Sequence, residues 1–456
     1  MTGGSSPTRG AVAAWGFWDW AFSAFNAVAT TFVFNTYLSS SAFGDPARES
    51  ELLGGFTAAA GIVIAVVAPV AGQRTDASGH RKRWLAINSG IVALCLLGTV
   101  FVRNEPGYLW LGLACIAVGT VFYELATVFY NSLLPLVSTP RTVGKISAFG
   151  WSMGYFGSIV LLVIILVFFV EGGTSTTSGL LHIPDAGGLY VRLAMLVATA
   201  WAVAFSIPVL FKVKVPPPAE LAAERTGFTA AYGVLFRNIR DLWRVSPNTI
   251  WFLLASAIFR DGLTGVFTFG GVLGHVAFGL STKQVLVFGI AANVIAGIAT
   301  VSSGGLDDRL GPKPVIVVSL AGMIVCTILL FVTRADGSIV FWIFGLILCA
   351  FVGPAQSASR TFLSRIIPPG REGEVFGLYA TTGRAAIWIS PTLYSVAIAI
   401  SPDTATAAKT SWGILGILAV VLIGLAVLLP VKPGLGLGGV DQEQHAAGEA
   451  PDVGQR

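Results

Sequence analysis

Apolar residues in this chain gather into long continuous runs separated by short polar breaks. Twelve runs are long enough to cross roughly 30 Å of hydrocarbon as helices of about 20 residues. They are 13–38, 52–72, 84–102, 108–133, 146–170 and 190–211, then 249–274, 282–304, 314–333, 338–362, 374–400 and 411–430. A membrane β-barrel would instead show short segments of alternating polarity. A helix satisfies its own backbone in lipid, so unbroken runs predict helices. The pattern predicts an all-α membrane protein of 12 transmembrane helices in two six-helix halves. Its divisions are an N-terminus at 1–12, a first half at 13–211, a linker at 212–248, a second half at 249–430 and a disordered tail at 431–456. The first run is too long for the apolar core of a cleavable leader and has no clear small-residue cleavage site. The linker holds Phe228, Tyr232, Leu235, Phe236, Ile239 and Leu242 at helical spacing, which predicts an amphipathic helix lying along the membrane surface. The outward loop at 171–189 reads as irregular.

Polar positions inside the runs are few and ordered. In span one, Asp19, Ser23, Asn26 and Thr30 recur at steps of 4, 3 and 4. Span four has Glu124, Thr127 and Asn131, span seven has Asp261, Thr264 and Thr268, and span ten has Gln356, Ser359 and Arg360 near its end. Such spacing puts each set on one helix face. A polar stripe on a membrane helix lines a cavity or a helix interface. A charge at the membrane centre costs at least about 2.5–3.5 kcal/mol. Asp19, Glu124, Arg260, Asp261 and Arg384 must therefore each be paired, face water or do work.

A motif occurs twice. Gly72-Gln-Arg-Thr-Asp76-Ala-Ser-Gly79-His-Arg81 comes after span two, and Gly304-Gly-Leu-Asp-Asp308-Arg-Leu-Gly311-Pro-Lys313 after span eight, at one offset of 232 residues. A second pair supports it: Pro140-Arg141-Thr-Val-Gly144 leads into span five, and Pro369-Gly-Arg371-Glu-Gly373 leads into span eleven. Repeats running in the same sense give parallel halves related by an axis along the membrane normal. The glycines are expected to permit tight turns and close helix approach. Asp76 and Asp308 are expected to accept hydrogen bonds from helix-end amides or arginine, and Arg81, Lys82, Arg83 and Lys313 to face anionic headgroups.

Composition excludes a water-soluble core: 54% of residues are hydrophobic and 11% charged, against about 25% charged in soluble domains. The net charge of +5 is no nucleic-acid signature; its distribution matters more. Arg48, Arg103, Arg192, Lys283, Arg334 and Lys409 fall on one side, and most other Lys and Arg on the side of the termini. The positive-inside rule puts both termini in the cytoplasm and the chain in the inner membrane. Cys95, Cys115, Cys326 and Cys349 lie inside runs without paired spacing and are expected to act as small packing residues.

Two parallel six-helix halves with this motif resemble the major facilitator superfamily over residues 13–430. More specific strings resemble its vacuole-effluxer-like (autophagy-related) family and that family's bacterial members. They are Trp18-Asp19-Trp20-Ala21-Phe22-Ser23-Ala24-Phe25, Phe129-Tyr130-Asn131-Ser132-Leu133-Leu134-Pro135, Asp261-Gly262, Gly304 to Gly311, Gln356-Ser-Ala-Ser359-Arg360 and Phe376-Gly377-Leu378-Tyr379. The chain departs from that family at Phe22, where Asn is common, and at Arg384, where Lys is common. The resemblance implies transport, with amino-acid export associated with fungal members. It also implies that spans one, four, seven and ten line a central cavity. The motif loops would then latch the cytoplasmic side and break as the halves rock.

The substrate and ion pathway is accordingly expected at Asp19, Ser23, Asn26, Glu124, Asn131, Arg260, Asp261, Thr264, Gln356 and Arg384. The gating residues are Gly72, Asp76, Gly79, Arg81, Gly304, Asp308, Gly311 and Lys313. Each has a plainer alternative. Asp19 would make an interhelical hydrogen bond, Glu124 a fixed salt bridge to Arg384 or Arg260, and Arg384 a structural pair between halves. Gly353-Pro354 in span ten is the expected flexible point. No phosphate-binding glycine loop, metal-ligand spacing or hydrolase motif occurs. The expectation is no enzyme, no cofactor and no metal, with a small-molecule substrate and the lipid bilayer as partners and a monomer as the unit. The rival functions are export of hydrophobic or amphipathic compounds and a non-transporting membrane scaffold or sensor.

Overall fold

The computed structural model describes residues 8–38, 42–44, 46–78, 80–170, 177–184, 186–215, 233, 237, 239–244, 246–280, 282–367 and 371–432. Each predicted span meets a helix or a broken pair of helices. Span one runs Arg9–Ser23, continues as a π-helix over Ala24–Phe32 and ends in Phe34–Leu38. Spans two to six are Pro46–Ser78, Arg81–Thr99, Leu109–Ser132, Val143–Ile165 with a π-helical turn Leu166–Val170, and Leu189–Lys212. Spans seven to twelve are Pro247–Val272 with a π-helical turn Leu273–Ala277, Thr282–Leu310, Pro312–Val332, Ser338–Ile366, Glu372–Ala386 with Ile389–Ala399, and Thr406–Ser411 with Gly413–Leu428. Among the described residues, eight helices are long and apolar enough to cross a membrane. Spans one and eleven are interrupted, and spans two and three carry charged end turns.

Each half packs on itself, and the halves meet through span two against eleven, five against eight, and ten against five. The repeat is visible at atomic level. Gly72 of span two lies against the backbone carbonyl of Gly373, so close that a Cβ would collide with it. Gly304 of span eight lies against Gly144 O, Lys145 Cα and Ala148 Cβ, with a Cβ reaching 2.8 Å from the last. Gly144 and Gly373 are the glycines of the second repeat pair, so the two contacts are images of one another. Neither Gly72 nor Gly304 makes a turn, and this corrects the expectation of tight turns there. Both sit in helix, since span two extends to Ser78 and span eight to Leu310. The turn itself falls to Gly311, whose φ of +87° is open to glycine without strain. Gly79 lies outside the described residues.

Two other expectations change. The loop before span six holds a short antiparallel hairpin, with Thr177 opposite Pro184 and Ser178 opposite Ile183. Span ten stays helical through Pro354, and Gly353 is a packing point where a Cβ would strike Thr300 of span eight. The break falls in span eleven at Ile387 and Trp388, three to four residues before Pro391. Proline has no N–H and its ring clashes with the carbonyl four residues earlier, which is Ile387. Most of the linker's predicted amphipathic helix and the tail from 433 lie outside the described residues; 239–244 is helical, with Leu242 buried.

Glycine packing within a half is testable. Gly416 of span twelve abuts the Leu393 carbonyl and Tyr394 Cα of span eleven. Overpacking costs about 1–3 kcal/mol, so Gly416→Val should lower the melting temperature in detergent by several degrees. Gly90 meets nothing within 4 Å, and Gly90→Ala should leave the melting temperature unchanged or raised.

Candidate functional site between the halves

At the end of the molecule that carries the twin motif, a guanidinium crosses from the second half into the first. Arg360 of span ten is 2% exposed. Its Nη2 donates to Ser147 O at 2.6 Å and its Nε to Ser147 Oγ at 3.1 Å, both on span five. Its Nη1 donates to Asn131 Oδ1 of span four at 3.2 Å and lies 3.6 Å from Asp19 Oδ2 of span one. Trp15, Tyr130 and Trp151 present ring faces 5.1, 5.8 and 5.3 Å from its Cζ. Tyr130 stacks between Trp15 and Trp18 and donates its hydroxyl to Asp19 Oδ2 at 2.9 Å. A guanidinium can be buried here because its donors meet acceptors and its planar faces meet aromatic rings. Ser357 joins the same seam: Ser147 Oγ donates to Ser357 O at 2.9 Å.

The motif residues tighten this end. Asp308 accepts from Gly144 N at 2.7 Å and Lys145 N at 3.0 Å, the free amides at the start of span five. A carboxylate is favoured at a helix N-terminus, and hydrogen bonds to a charged group contribute about 1.5–3 kcal/mol each. Arg365 Nη2 lies 3.7 Å from Asp307 and 3.6 Å from Asp308. Arg81 donates to Ser132 O at 3.1 Å within its half and to Glu372 Oε2 at 2.7 Å across to the other. Asp76 lies on helix, but its side chain is outside the described residues.

Lys82 and Lys313 do not reach outward to headgroups as expected. Lys82 Nζ donates to Val213 O at the end of span six, and Lys313 Nζ donates to Leu429 O and Val431 O at the end of span twelve. Each caps the C-terminus of the last helix in its own half, where unsatisfied carbonyls favour a cation. The structural equivalent of Lys313 is therefore Lys82, one residue past the match at Arg81.

Towards the middle of the membrane, Glu124 of span four pairs with Arg384 of span eleven across the halves, with side chains 20% and 22% exposed. Arg260 of span seven lies over the Tyr379 ring, its Cζ 3.8 Å from the centroid, and donates from Nη1 to Tyr379 O at 3.2 Å. Tyr379 in turn shares a 2.9 Å hydrogen bond with Ser359, the neighbour of Arg360. Asp261 points elsewhere. Its Oδ2 accepts from Ser390 N at 2.6 Å, the amide freed by the break in span eleven. It works as an interhelical cap there.

The expected stripe of span one is split. Asp19 is in the buried seam, and Ser23 is buried with its hydroxyl donating to Trp20 O at 2.7 Å. The π-helix begins at Ala24, and its i→i+5 bonding rotates the later residues of the span away from the α-helical register. Asn26 is exposed and donates to Tyr123 Oη at 2.7 Å. Thr264 is exposed on span seven, one turn past Arg260, and Gln356 is half-buried. Sequence reasoning missed Ser147, Tyr130, Tyr379 and Glu372. Serine and tyrosine inside or beside apolar runs carry no signal of a partner on another helix, whereas the offset between the repeats could have flagged the pairing of Gly72 with Gly373.

At the opposite end, the described polar links join parts of one half. Arg192 Nε donates to Val100 O at 2.6 Å between spans six and three, and Trp412 Nε1 donates to Asp403 Oδ2 at 2.8 Å. Among the described residues no group of acidic, histidine or cysteine side chains could hold a metal ion.

Comparison with known proteins agrees with this architecture. The model of the family described as "Vacuole effluxer Atg22 like" matches residues 56–436. An uncharacterized MFS-type transporter, YxiO of Bacillus subtilis strain 168, is 25% identical over 428 residues, covering 91% of this chain and 93% of its own. Autophagy-related protein 22 of Cryptococcus neoformans is 24% identical over 331 residues, 66% of this chain and 54% of that longer protein. Among solved structures, an outward-facing bacterial homologue of the iron transporter ferroportin superposes with a TM-score of 0.68 at 14% identity, covering 92% of this chain and 98% of that one. The proton:xylose symporter XylE superposes at 0.66 and 16% identity, covering 91% and 94%. These likenesses show the major facilitator fold, and by its match from 56 to 436 the chain belongs to the vacuole effluxer Atg22-like family of membrane transporters.

Proposed function

We propose that the protein is a secondary transporter that moves a small polar solute by alternating access, and that its present state is closed at the motif end. The observation that carries this is the uneven join between the halves. Asp308, Arg81 and Arg360 bind across the halves at the motif end, whereas Arg192 and Trp412 bind within a half at the other. The charge distribution makes the motif end cytoplasmic, so the state faces outward. Rocking of parallel halves about a central site accounts for repeats whose contacts mirror one another.

Glu124 is the acid best placed to couple transport to protons. Asp261 is committed to the Ser390 amide and Asp19 to the buried seam, but the Glu124–Arg384 pair is part-exposed and bridges the halves. A proton on Glu124 removes its charge and dissolves a link that closure and opening must remake. Exposed Asn26, Thr264 and Thr268 favour a polar solute over a hydrophobic one. Amino acids, associated with fungal members of the family, are the first solutes to try in either direction.

In proteoliposomes, Glu124→Gln should abolish accumulation driven by a proton gradient while solute exchange between the two sides continues. Gradient-driven accumulation at the wild-type level would remove Glu124 from coupling, and no solute movement by the wild type over a broad panel would sink the transport reading in favour of a scaffold. Breaking a buried ion pair by removing one partner costs about 3–5 kcal/mol. Arg360→Gln should therefore release the motif end. A cysteine at Ser357, placed in a background lacking the four native cysteines, should be alkylated several-fold faster from that side. Equal labelling in the two backgrounds would show that Arg360 does not hold the end shut.

A further inference from the structure

One charge at the centre of the molecule has no counter-charge in contact with it. Glu124 and Arg384 meet between spans four and eleven, and Arg260 of span seven reaches Gly383, the residue before Arg384. Glu124 is already paired with Arg384. Arg260 has no carboxylate partner among the described residues. Asp261, next in sequence, turns away to Ser390. A guanidinium has five N–H donors, and Arg260 uses one on protein, towards Tyr379 O. Its other support is the Tyr379 ring, over which its Cζ sits 3.8 Å from the centroid.

A Cβ on Gly383 would come within 3.3 Å of Arg260 Nη1, so the guanidinium lies close along span eleven. Arg384 is the next residue, and the two cationic positions therefore flank one turn of that helix. Exposed Thr264 stands one turn along span seven from Arg260. Glu124 and Arg384 neutralise one another and Asp261 faces the Ser390 amide, so Arg260 keeps a half-buried charge with no acid in contact with it among the described residues. A planar fork with free donors matches a carboxylate in two parallel hydrogen bonds. A single carboxylate would supply the contact that Arg260 lacks.

We propose that Arg260 is the anion subsite of the transporter, and that the solute it selects carries a carboxylate seated on the donors left free by Tyr379. This rests on the transport reading above and adds the charge of the cargo. Tyr379 serves as the positioning residue that holds the guanidinium.

Binding to the full chain in detergent tests it, read as thermal shift or intrinsic tryptophan fluorescence. The probes are isovalerate, benzoate and leucine, each beside its amide, with inorganic phosphate and xylose as further arms. The carboxylates should bind at least ten-fold more tightly than their amides, than phosphate and than xylose. Arg260→Gln should lose that preference, and Arg260→Lys should keep part of it. The wild-type comparison of acid with amide needs no variant, so it decides the matter even if Arg260→Gln fails to fold. Amides binding as tightly as acids, failure of all the carboxylates to bind, or an unchanged preference in a folded Arg260→Gln would each overturn the proposal. Vesicle transport separates the two ideas. Movement of uncharged solutes without carboxylate preference sinks the subsite and leaves the transporter, whereas carboxylate binding with no movement of any solute leaves the subsite and sinks the transporter.

Discussion

Everything at the closed end of this protein depends on one guanidinium being acceptable where water is absent. Arg360 is satisfied by Ser147, Asn131, Asp19 and aromatic faces, all of them in the opposite half. Its solvation is therefore a property of the closed state. When the halves separate, the arginine must find water and the Asp19 carboxylate must do the same. Bolt and counter-charge are thus released together. That makes the seam two-valued, because a partly opened seam would leave buried charge without partners.

Around that bolt the two repeats place the same chemistry twice, but each residue type has a narrower task than its motif suggests. Gly72 and Gly304 remove side chains where helices of opposite halves touch. Asp308 holds the first amides of span five. Lys82 and Lys313 close the carbonyl ends of spans six and twelve. One motif thus fixes a half internally through its lysine and joins it to the other half through its glycine and aspartate. The chain Arg260–Tyr379–Ser359 then connects the central charges to the neighbour of Arg360.

The fold was legible because lipid leaves few choices. Long apolar runs have to be helices, and a motif repeated at one offset has to mean two parallel halves. The central charges were legible for the same reason, since Glu124, Arg260 and Arg384 are costly enough to stand out on an apolar background. What the pattern misjudged were consequences of rotation and contact. The stripe from Asp19 to Thr30 assumed α-helical steps, and the π-helix at Ala24 ended that register. The flexible point expected at Gly353-Pro354 is continuous helix packed against Thr300 of span eight, and the helix break falls beside Pro391.

By itself, then, the sequence determined that the chain spans a membrane in two related halves and that a few intramembrane charges are held or used. Only the tertiary structure decided which charges hold one another: Glu124 with Arg384, Asp261 with a backbone amide, Arg360 with residues some two hundred positions away, and Arg260 with no acid among the described residues. The physical reason is that spacing along a helix fixes only the face a side chain shares, while a charge is satisfied by whatever the packing of other helices brings within about 4 Å.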